Sequence, residues 1–361
     1  MKFLFIVQGE GRGHLTQAIS LREILMKNGH EVVGVMVGKS NRRELPDFFP
    51  RNIQSKVYRF NSPNFLPSQK KTTSIGMTIA YNFLKAGTYV GSIFYIKKLI
   101  KDLEVDVVIN FYEMMAGLTY ALFTPKTPCV CIAHQYLFLH PNYKFPEAHK
   151  AELYLLKFFT RVTSARASLI LALSTREMKP VPAQRIVVVP PLLRKDVFEM
   201  PVKKGNYLHG YMLNDTYADE IIQFQKKHPD VYVDFFWDRK DVPDTLEIND
   251  RLSFHRLNDR LFLEYMAGCK GYATTAGFES VCEAMYMGKP VMMVPTHIEQ
   301  ECNAFESATS GAGIVAHEFD LQKLLDFISE YKENPDFKIW AQNAEMHIMK
   351  AMERLIVNNY C

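Results

Sequence analysis

The 361-residue sequence has no apolar stretch that approaches the roughly 18 to 20 residues needed to span a membrane. Its opening, MKFLFIVQGEG, has one lysine and a short apolar run broken by glycine and glutamate, so we expect a first β-strand rather than a signal peptide. The six cysteines are scattered and form no C-x2-C pair of the kind found in zinc or redox sites. These absences favour a reduced, cytoplasmic protein that contacts membranes at most peripherally.

Acidic residues are scarce in the first 200 residues, where 14 Asp and Glu stand against 27 Lys and Arg, whereas the remainder has 25 against 16. A basic half attracts anions such as phosphates or an acidic membrane surface. Uneven surface charge without a function is the alternative interpretation. The basic residues are dispersed and no recognition motif accompanies them, so no nucleic acid partner is expected.

The length favours two domains, and the pattern of apolar segments favours an α/β fold. Short apolar runs without strict alternation are separated by segments of helical periodicity, which predicts parallel strands covered on both faces. The predicted strands are 2–7, 31–37, 55–60, 106–112, 128–134, 168–174 and 185–191, then 206–212, 231–237, 252–257, 271–275, 290–295 and 313–317. Helices are predicted over 14–28, 75–101 and 144–167.

A stretch rich in Pro and Lys separates the two series of strands and predicts an interdomain linker. We therefore expect a Rossmann-like domain over 1–190, a linker over 191–204 and a second Rossmann-like domain over 205–335. One long closing helix over 336–361 is expected to pack back on the first domain. The simplest architecture is two facing Rossmann-like domains with a cleft between them.

The segment GEGRGH places glycines at 9, 11 and 13 where the first strand gives way to a helix. Glycines let the backbone approach a ligand closely, and the amide end of the following helix favours negative charge. The spacing is not G-x-G-x-x-G, and no acidic residue near position 38 is available for a ribose, which disfavours a dinucleotide dehydrogenase. Gly11 and Gly13 are candidate acceptor-binding or loop residues.

His14 follows these glycines at the first turn of the helix and is a candidate general base. The alternative is a polar surface histidine. Glu113, just after the fourth strand, is the best candidate to orient His14 or to stabilise its charge. Glu113 could equally be an acid favoured by the N-terminus of the helix that follows it.

The segment GYATTAGFESVCEAMYMGKP predicts a strand ending at Thr275, a turn at Ala276–Gly277, and a helix that Gly288 ends. The N-terminus of that helix is a predicted anion site. Ser280 and Glu283 match a capping box.

A helix that starts near Phe278 instead would place Glu283 one turn further in, where its carboxylate could bind a cis-diol. Glu299 and Gln300, after the next strand, could accept hydrogen bonds from sugar hydroxyls.

The block G-x-E-S-x-x-E-A-x-x-x-G-K-P, followed by E-Q-x-x-N-A, resembles the donor-sugar signature of GT-B glycosyltransferases. This superfamily includes the UDP-glycosyltransferases and the MurG-like N-acetylglucosaminyltransferases. The opening glycine-rich loop ending in Gly-His also resembles MurG-like members and is closest to an uncharacterised bacterial and archaeal branch. Two matches in the right order, one in each domain, make the resemblance specific.

The resemblance implies an inverting, metal-independent transfer of a sugar from a nucleoside diphosphate, which we expect to be UDP, to an acceptor hydroxyl. No cofactor or metal is expected, and no D-x-D triplet occurs in the sequence. His14 would be the deprotonating base, and the base of the nucleotide would lie against 252–258. The residues that match the donor signature are Ala276, Gly277 and Ser280 for the diphosphate, Glu283 for the ribose, and Glu299 and Gln300 for the sugar. Thr275 departs from the plant-type pattern, which has a histidine there, and MurG-like enzymes also lack that histidine.

The family often ends the fourth strand with an aspartate, where this sequence has Asn110 and Phe111. Either Glu113 substitutes for that aspartate or no carboxylate assists His14. A binding subunit without turnover and a UDP-sugar epimerase on the same fold are therefore alternatives. The segments 65–101 and 136–161 mix aromatic residues with lysines and could contact an anionic membrane that carries a lipid-linked acceptor, or they could belong to the core.

Overall fold

The computed structural model describes residues 1–39, 44–63, 86–147, 150–213, 215–239 and 241–358. The chain divides into two compact units. The first unit comprises Met1–Tyr143, Ala148–Arg194 and Gln342–Cys361, and the second comprises Lys144–Glu147 and Lys195–Ala341.

The first unit contains a parallel seven-stranded sheet with helices packed against it. Its strands are β1 (Lys2–Val7), β2 (Glu31–Lys39), β3 (Val57–Asn61), β4 (Val107–Phe111), β5 (Cys129–Ala133), β6 (Leu169–Leu173) and β7 (Ile186–Val189), in the order β3-β2-β1-β4-β5-β6-β7. Its first helices are α1 (Arg12–Lys27), α2 (Phe48–Ile53), α3 (Ala86–Asp102), α4 (Met114–Phe123) and α5 (Lys150–Thr163). Every residue of β4, β5 and β6 is buried, as the continuous apolar runs predicted.

The second unit repeats this plan. Its strands are β8 (Tyr207–Met212), β9 (Tyr232–Trp237), β10 (Thr245–Asn249), β11 (Leu252–Arg256), β12 (Gly271–Thr274), β13 (Val291–Met293) and β14 (Gly313–Val315), in the order β10-β11-β9-β8-β12-β13-β14. Its helices are α6 (Lys195–Glu199), α7 (Ala218–Lys227), α8 (Asp259–Gly268), α9 (Phe278–Tyr286), α10 (Ile298–Thr309), α11 (Leu321–Ile328) and α12 (Pro335–Gln342). Strand β10 pairs antiparallel with β11, whereas the other pairs of this sheet are parallel.

In both sheets the strand order reverses beside the first strand of the unit. Strand β1 lies between β2 and β4, and β8 lies between β9 and β12. Connections on the two sides of such a strand run to opposite faces, so the loops at its carboxyl end diverge and leave a crevice in which open α/β sheets bind ligands. The loop before His14 follows β1, and the turn at 275–277 follows β12.

The C-terminal segment was predicted as one helix, which is wrong: it forms α12 and then α13 (Ala344–Asn358), with a turn at Asn343 between them. Helix α13 packs on β6 and β7 of the first unit. Its Glu345 accepts hydrogen bonds from Lys27 Nζ at 2.7 Å and Asn28 Nδ2 at 3.0 Å, both at the end of α1. The apolar periodicity continues across the turn, so the pattern could not show the break.

Other predicted bounds also shift. Helix α1 begins at Arg12 rather than residue 14, and α5 spans a shorter range than 144–167. Residues 75–85 of the predicted second helix lie outside the described residues. Strand β10 was not predicted, because most of its residues are exposed and its sequence TLEIN has few apolar positions.

A pair of helix glycines tests how tightly the first unit packs. A Cβ added to Gly117 in α4 would lie 2.0 Å from the backbone oxygen of Val162 in α5, so Gly117→Ala must separate the two helices. We expect a loss of about 2 kcal/mol in the free energy of unfolding. In Gly91→Ala on α3, the new Cβ meets no described atom within 4 Å, and a gain of up to about 1 kcal/mol is expected from helix propensity. Denaturant unfolding of both variants measures the difference, and equal stabilities would contradict the packing.

Candidate active site

The loop after β1 is held thin by its glycines. A Cβ on Gly9 would lie 1.9 Å from the carbonyl oxygen of Gly38 at the end of β2, so only glycine fits at this close approach. The side-chain oxygen of Gln8 accepts a hydrogen bond from the backbone of Gly11 at 3.1 Å, and Gly11 is the N-cap of α1. Gly13 therefore lies in the first turn of α1, directly before His14.

His14 is buried, and both of its ring nitrogens contact amide side chains. Nδ1 lies 3.2 Å from Oε1 of Gln17, one turn along α1, and Nε2 lies 3.4 Å from Nε2 of Gln135. The ring also stacks on Tyr112, with 5.8 Å between ring centroids. Neither glutamine was identified from the sequence. The spacing of three residues places His14 and Gln17 on one face of α1, which could have indicated the first of these contacts.

Glu113 is fully buried and caps helix α4. Its Oε1 accepts hydrogen bonds from the backbone nitrogen of Met115 at 3.0 Å and from Oγ of Ser62 at 2.7 Å. The alternative that Glu113 is a helix N-terminal acid is therefore confirmed. The hydrogen bonds described for His14 and for Glu113 go to different groups, so a role of Glu113 as the partner of His14 stays a prediction.

Burial raises the pKa of Glu113 to about 7, against the lowering effect of its hydrogen bonds with Met115 and Ser62. The charge of Glu10, in the glycine-rich loop, raises it further. Asn110, which stands where the family often has an aspartate, accepts the backbone hydrogen bond of Glu113 at 2.8 Å and so holds the turn. This carboxyl group changes its charge near neutral pH.

The predicted phosphate turn follows β12 in the second unit. Thr275 is buried, Ala276 adopts the left-handed conformation with φ +62°, and Gly277 is the N-cap of α9. The helix begins at Phe278, so the second alternative for its start is confirmed. The capping box does not form, because Oγ of Ser280 donates to the carbonyl oxygen of Gly277 at 3.2 Å.

Asn303, on α10, is the asparagine of the E-Q-x-x-N-A block, and it supports this turn, a role that was not assigned to it from the sequence. Its Nδ2 donates to the carbonyl oxygen of Ala276 at 3.3 Å, whereas its Oδ1 is buried and has no hydrogen-bond partner among the described residues. An alanine in the left-handed region costs roughly 1–2 kcal/mol, and the Asn303 bond offsets part of that cost. The amide therefore links α10 to the turn that precedes α9.

The carboxylates near the turn differ in burial. Glu283, in the second turn of α9, is buried, whereas Glu279 lies in its first turn. A negative charge in the first turn opposes a bound diphosphate, so the backbone amides of the turn would have to hold it. Lys289 does not contribute there, because its Nζ donates to the backbone oxygens of Lys203 and Cys269 at 2.6 and 2.8 Å.

The predicted sugar-binding pair begins helix α10. Glu299 lies in its first turn and is partly exposed, whereas Gln300 is buried and its Oε1 accepts hydrogen bonds from Thr296 N and Oγ1 at 2.9 and 2.8 Å. The Gln300 oxygen is thus occupied, and its amide nitrogen is the group left to bind a ligand. Burial lowers the pKa of the neighbouring His297, against the charges of Glu299 and Glu301.

The segment 252–258 was expected to contact the nucleotide base, but two of its side chains already contact other residues of the second unit. Phe254 is buried and stacks on Trp237 with 4.6 Å between ring centroids, so it cannot stack on a base. His255 Nε2 lies 2.8 Å from Oδ1 of Asp234, and its Nδ1 lies 3.1 Å from Oγ1 of Thr245. Among the described residues, no three His, Cys, Asp or Glu side chains are grouped so that they could hold a metal ion.

A family model described as glycosyl transferase family 1 matches residues 1–331, which is most of the chain. The chain belongs to glycosyl transferase family 1. It is therefore a glycosyltransferase, and the resemblance to GT-B enzymes is confirmed. A search of curated proteins finds no significant match to this glycosyltransferase.

Solved structures show the same GT-B fold at low sequence identity. The glycosyltransferase is similar to the kitacinnamycin glycosyltransferase, with a TM-score of 0.63, 13% identity, and coverage of 99% of this chain and 98% of that one. Arabidopsis thaliana UGT89C1 complexed with UDP-L-rhamnose gives a TM-score of 0.61, 14% identity, and coverage of 99% and 98%. Spinosyn rhamnosyltransferase SpnG complexed with thymidine diphosphate gives 0.59, 14%, and 99% and 100%.

The raised pKa of Glu113 predicts a pH-dependent stability. Between pH 4.5 and about 7 the folded protein binds more protons at this site than the unfolded chain, so the stability it contributes is present at low pH and is lost as pH rises through 7. From pH 5 to 8, we expect wild type to lose about 2 to 3 kcal/mol more than Glu113→Gln.

Denaturant unfolding at several pH values measures this difference. Glu345→Gln is the matched control. The hydrogen bond with Lys27 lowers the pKa of Glu345, so the contribution of Glu345 to the free energy of unfolding changes with pH in the opposite direction. Parallel stability curves for wild type and Glu113→Gln would show that the buried carboxyl group stays ionised.

Proposed function

We propose that this glycosyltransferase is inverting and metal-independent, and that it moves a sugar from a UDP-sugar to an acceptor hydroxyl. The observation that carries the proposal is the turn at Thr275–Gly277, which sits at the strand-order reversal of the second unit and opens directly into α9. A left-handed residue directly before a helix N-terminus is an arrangement whose backbone amides commonly bind phosphate groups, which suits a diphosphate.

The donor-binding roles follow from this turn. Ala276, Gly277 and Ser280 would bind the diphosphate, with Thr275 contributing its hydroxyl group. Glu283 would accept hydrogen bonds from the ribose hydroxyls, and the donor sugar would be bound by the two residues that start α10, Glu299 and Gln300. As the diphosphate departs it gains negative charge, and the helix N-terminus would stabilise that charge without a metal ion.

His14 would accept the proton of the acceptor hydroxyl as its oxygen attacks the anomeric carbon. The new bond forms on the face opposite the departing diphosphate, so the configuration at that carbon inverts. This role needs a neutral imidazole with one unprotonated nitrogen, and the contacts of His14 with two neutral amides support that state.

The choice of UDP rests on the family resemblance and on relatives of the same fold. UGT89C1 was solved with UDP-L-rhamnose and SpnG with thymidine diphosphate, and both ligands carry a pyrimidine base. Thymidine diphosphate is therefore the competing donor nucleotide. The cysteines at 129, 131, 269 and 282 are free thiols, and like Cys302 they are buried, which supports a reducing compartment such as the cytoplasm.

His14→Ala tests the catalytic proposal. Removing the base should lower the rate of sugar transfer by about a hundredfold or more. The affinity for the donor nucleotide should stay the same, because the donor residues belong to another part of the chain. Transfer is followed by mass spectrometry of products from UDP-sugars and a panel of saccharide and lipid acceptors.

Two outcomes would favour the alternatives. A non-catalytic binding subunit would bind the nucleotide but give no product with any acceptor, and His14→Ala would change nothing. An epimerase would convert the UDP-sugar to its epimer in the absence of acceptor, which product analysis of the donor alone detects.

We also propose that the protein binds an anionic membrane surface and meets a lipid-linked acceptor there. Phe94 on α3 and Phe158 on α5 are each 54% exposed, and Lys97 Nζ lies 4.0 Å from the ring centroid of Phe123 at the end of α4. Exposed aromatic side chains beside lysines suit a headgroup layer. Of the two predicted segments, residues 65–85 lie outside the described residues, and Tyr136 to Phe138 belong to the core. No helix in the described ranges has the length and apolar character to cross a bilayer.

Flotation with vesicles rich in phosphatidylserine tests the membrane proposal. At low salt the protein should float with these vesicles and stay behind with neutral ones, and a Phe94→Ser, Phe158→Ser double variant should bind at least several-fold more weakly. Leu122→Ser is the control for a general loss of surface apolarity, since Leu122 is also exposed. Equal binding of the two variants, or none by wild type, would refute the proposed surface.

A further inference from the structure

The His14 ring contacts two amide atoms, each of which has a fixed donor or acceptor character. Oε1 of Gln17 can only accept a hydrogen bond, so Nδ1 of His14 must carry the proton. Nε2 of Gln135 can only donate, so Nε2 of His14 must be the unprotonated nitrogen. Both contacts are satisfied together by the neutral imidazole protonated on Nδ1, and by no other state of the ring.

We propose that Gln17 is the positioning residue of the catalytic base, in place of a carboxylate, and that the Gln135 amide occupies the position at Nε2 that the acceptor hydroxyl takes during transfer. This inference rests on the proposed role of His14. An incoming hydroxyl group donates to Nε2 just as the Gln135 amide does, so the substrate replaces one donor by another.

The proton then passes from the hydroxyl to Nε2 as the oxygen–carbon bond forms and the bond from the anomeric carbon to the diphosphate oxygen breaks. The imidazolium that results has protons on both nitrogens. Gln17 still accepts from Nδ1, whereas a donor at Nε2 no longer fits. Gln135 therefore has to leave Nε2 before the proton arrives, which the displacement by substrate achieves.

Titratable groups lie on the segments that contain or contact His14, namely Glu10, Tyr112 and Glu113. Tyr112 stacks on the ring and donates or accepts through its hydroxyl group at Thr160, 2.8 Å away. The carboxyl group of Glu113 binds Ser62 and Met115. Glu10, in the preceding loop, acts on the pKa of Glu113. Gln17 is fully buried on α1, where an amide side chain needs a polar partner.

The tautomer is tested without any assay of activity. Long-range proton–nitrogen NMR of histidine-labelled protein reports which ring nitrogen of His14 carries the proton, with His14→Ala used for assignment. We expect the proton on Nδ1 in wild type and a mixture of tautomers in Gln17→Leu. Gln225→Leu, which removes another buried glutamine in the second unit, should leave the His14 signals unchanged. A proton on Nε2 in wild type would overturn the inference.

Gln17→Glu tests the positioning role in turnover. A carboxylate at Nδ1 stabilises the imidazolium, so both the NMR titration of His14 and the acid limb of the transfer rate should move up by about one pH unit. A role in packing alone would move neither, and unmoved curves would overturn the inference. If His14→Ala retained full transfer, the proposed function would be refuted. The NMR measurement would still decide which ring nitrogen of His14 carries the proton.

Gln135→Leu tests the displacement. Because the amide competes with the acceptor for Nε2, its removal should lower the KM for the acceptor about two- to fivefold with little change in kcat. A rise in KM together with a fall in kcat of tenfold or more would show that Gln135 holds the substrate, and would overturn this part of the inference.

Discussion

The parallel pairing of β1 with β4, and of β8 with β12, is the constraint on which the rest of the structure depends. Each pair marks the place where the strand order reverses, so the chain must leave the two strands on opposite faces of the sheet. Backbone amides at the next helix N-terminus then point into the space that opens. The glycine-rich loop and the 275–277 turn both occupy such places. Each requires an unusual backbone feature, which is a close backbone approach at Gly9 and a left-handed conformation at Ala276.

Neutral amide side chains make many of the hydrogen bonds that the described residues form around both turns. Gln17 and Gln135 contact His14, Asn303 supports Ala276, and Gln300 binds Thr296. An amide can donate and accept without carrying charge, so it can be buried next to a reacting group at a smaller desolvation cost than a carboxylate. Glu113 shows the contrast, because its burial keeps it partly protonated near neutral pH.

The fold and the conformation of the 275–277 turn could be predicted from sequence because both depend on local signals. Fully buried strands appear as apolar runs, and a small turn between a strand and a helix shows at Ala276–Gly277 and again where Gly288, with φ +65°, ends α9. The break at Asn343 was not predictable, because the apolar pattern of the two helices stays in phase across it.

The contacts of His14 lie beyond any local pattern. Gln135 is 121 positions away in the chain, and its approach to His14 depends on how β5 and the turn after it lie beside α1. The pairing of Glu113 with Ser62 is likewise set by the order of β3 and β4 in the sheet. The carboxylate of Glu113 was proposed from the sequence as the partner of His14, whereas the ring contacts described in the structure are with the amides of Gln17 and Gln135.

The most direct test of the central claim is calorimetric titration of the protein with UDP, thymidine diphosphate, GDP and ADP in turn, repeated with Glu283→Gln. The proposed donor site predicts selective binding of UDP that weakens about tenfold or more in the variant, because a carboxylate that accepts from two ribose hydroxyls is lost. Selective binding of another of these nucleotides would contradict the assignment of UDP. Binding of none of them would contradict the account of the 275–277 turn as a nucleoside diphosphate site.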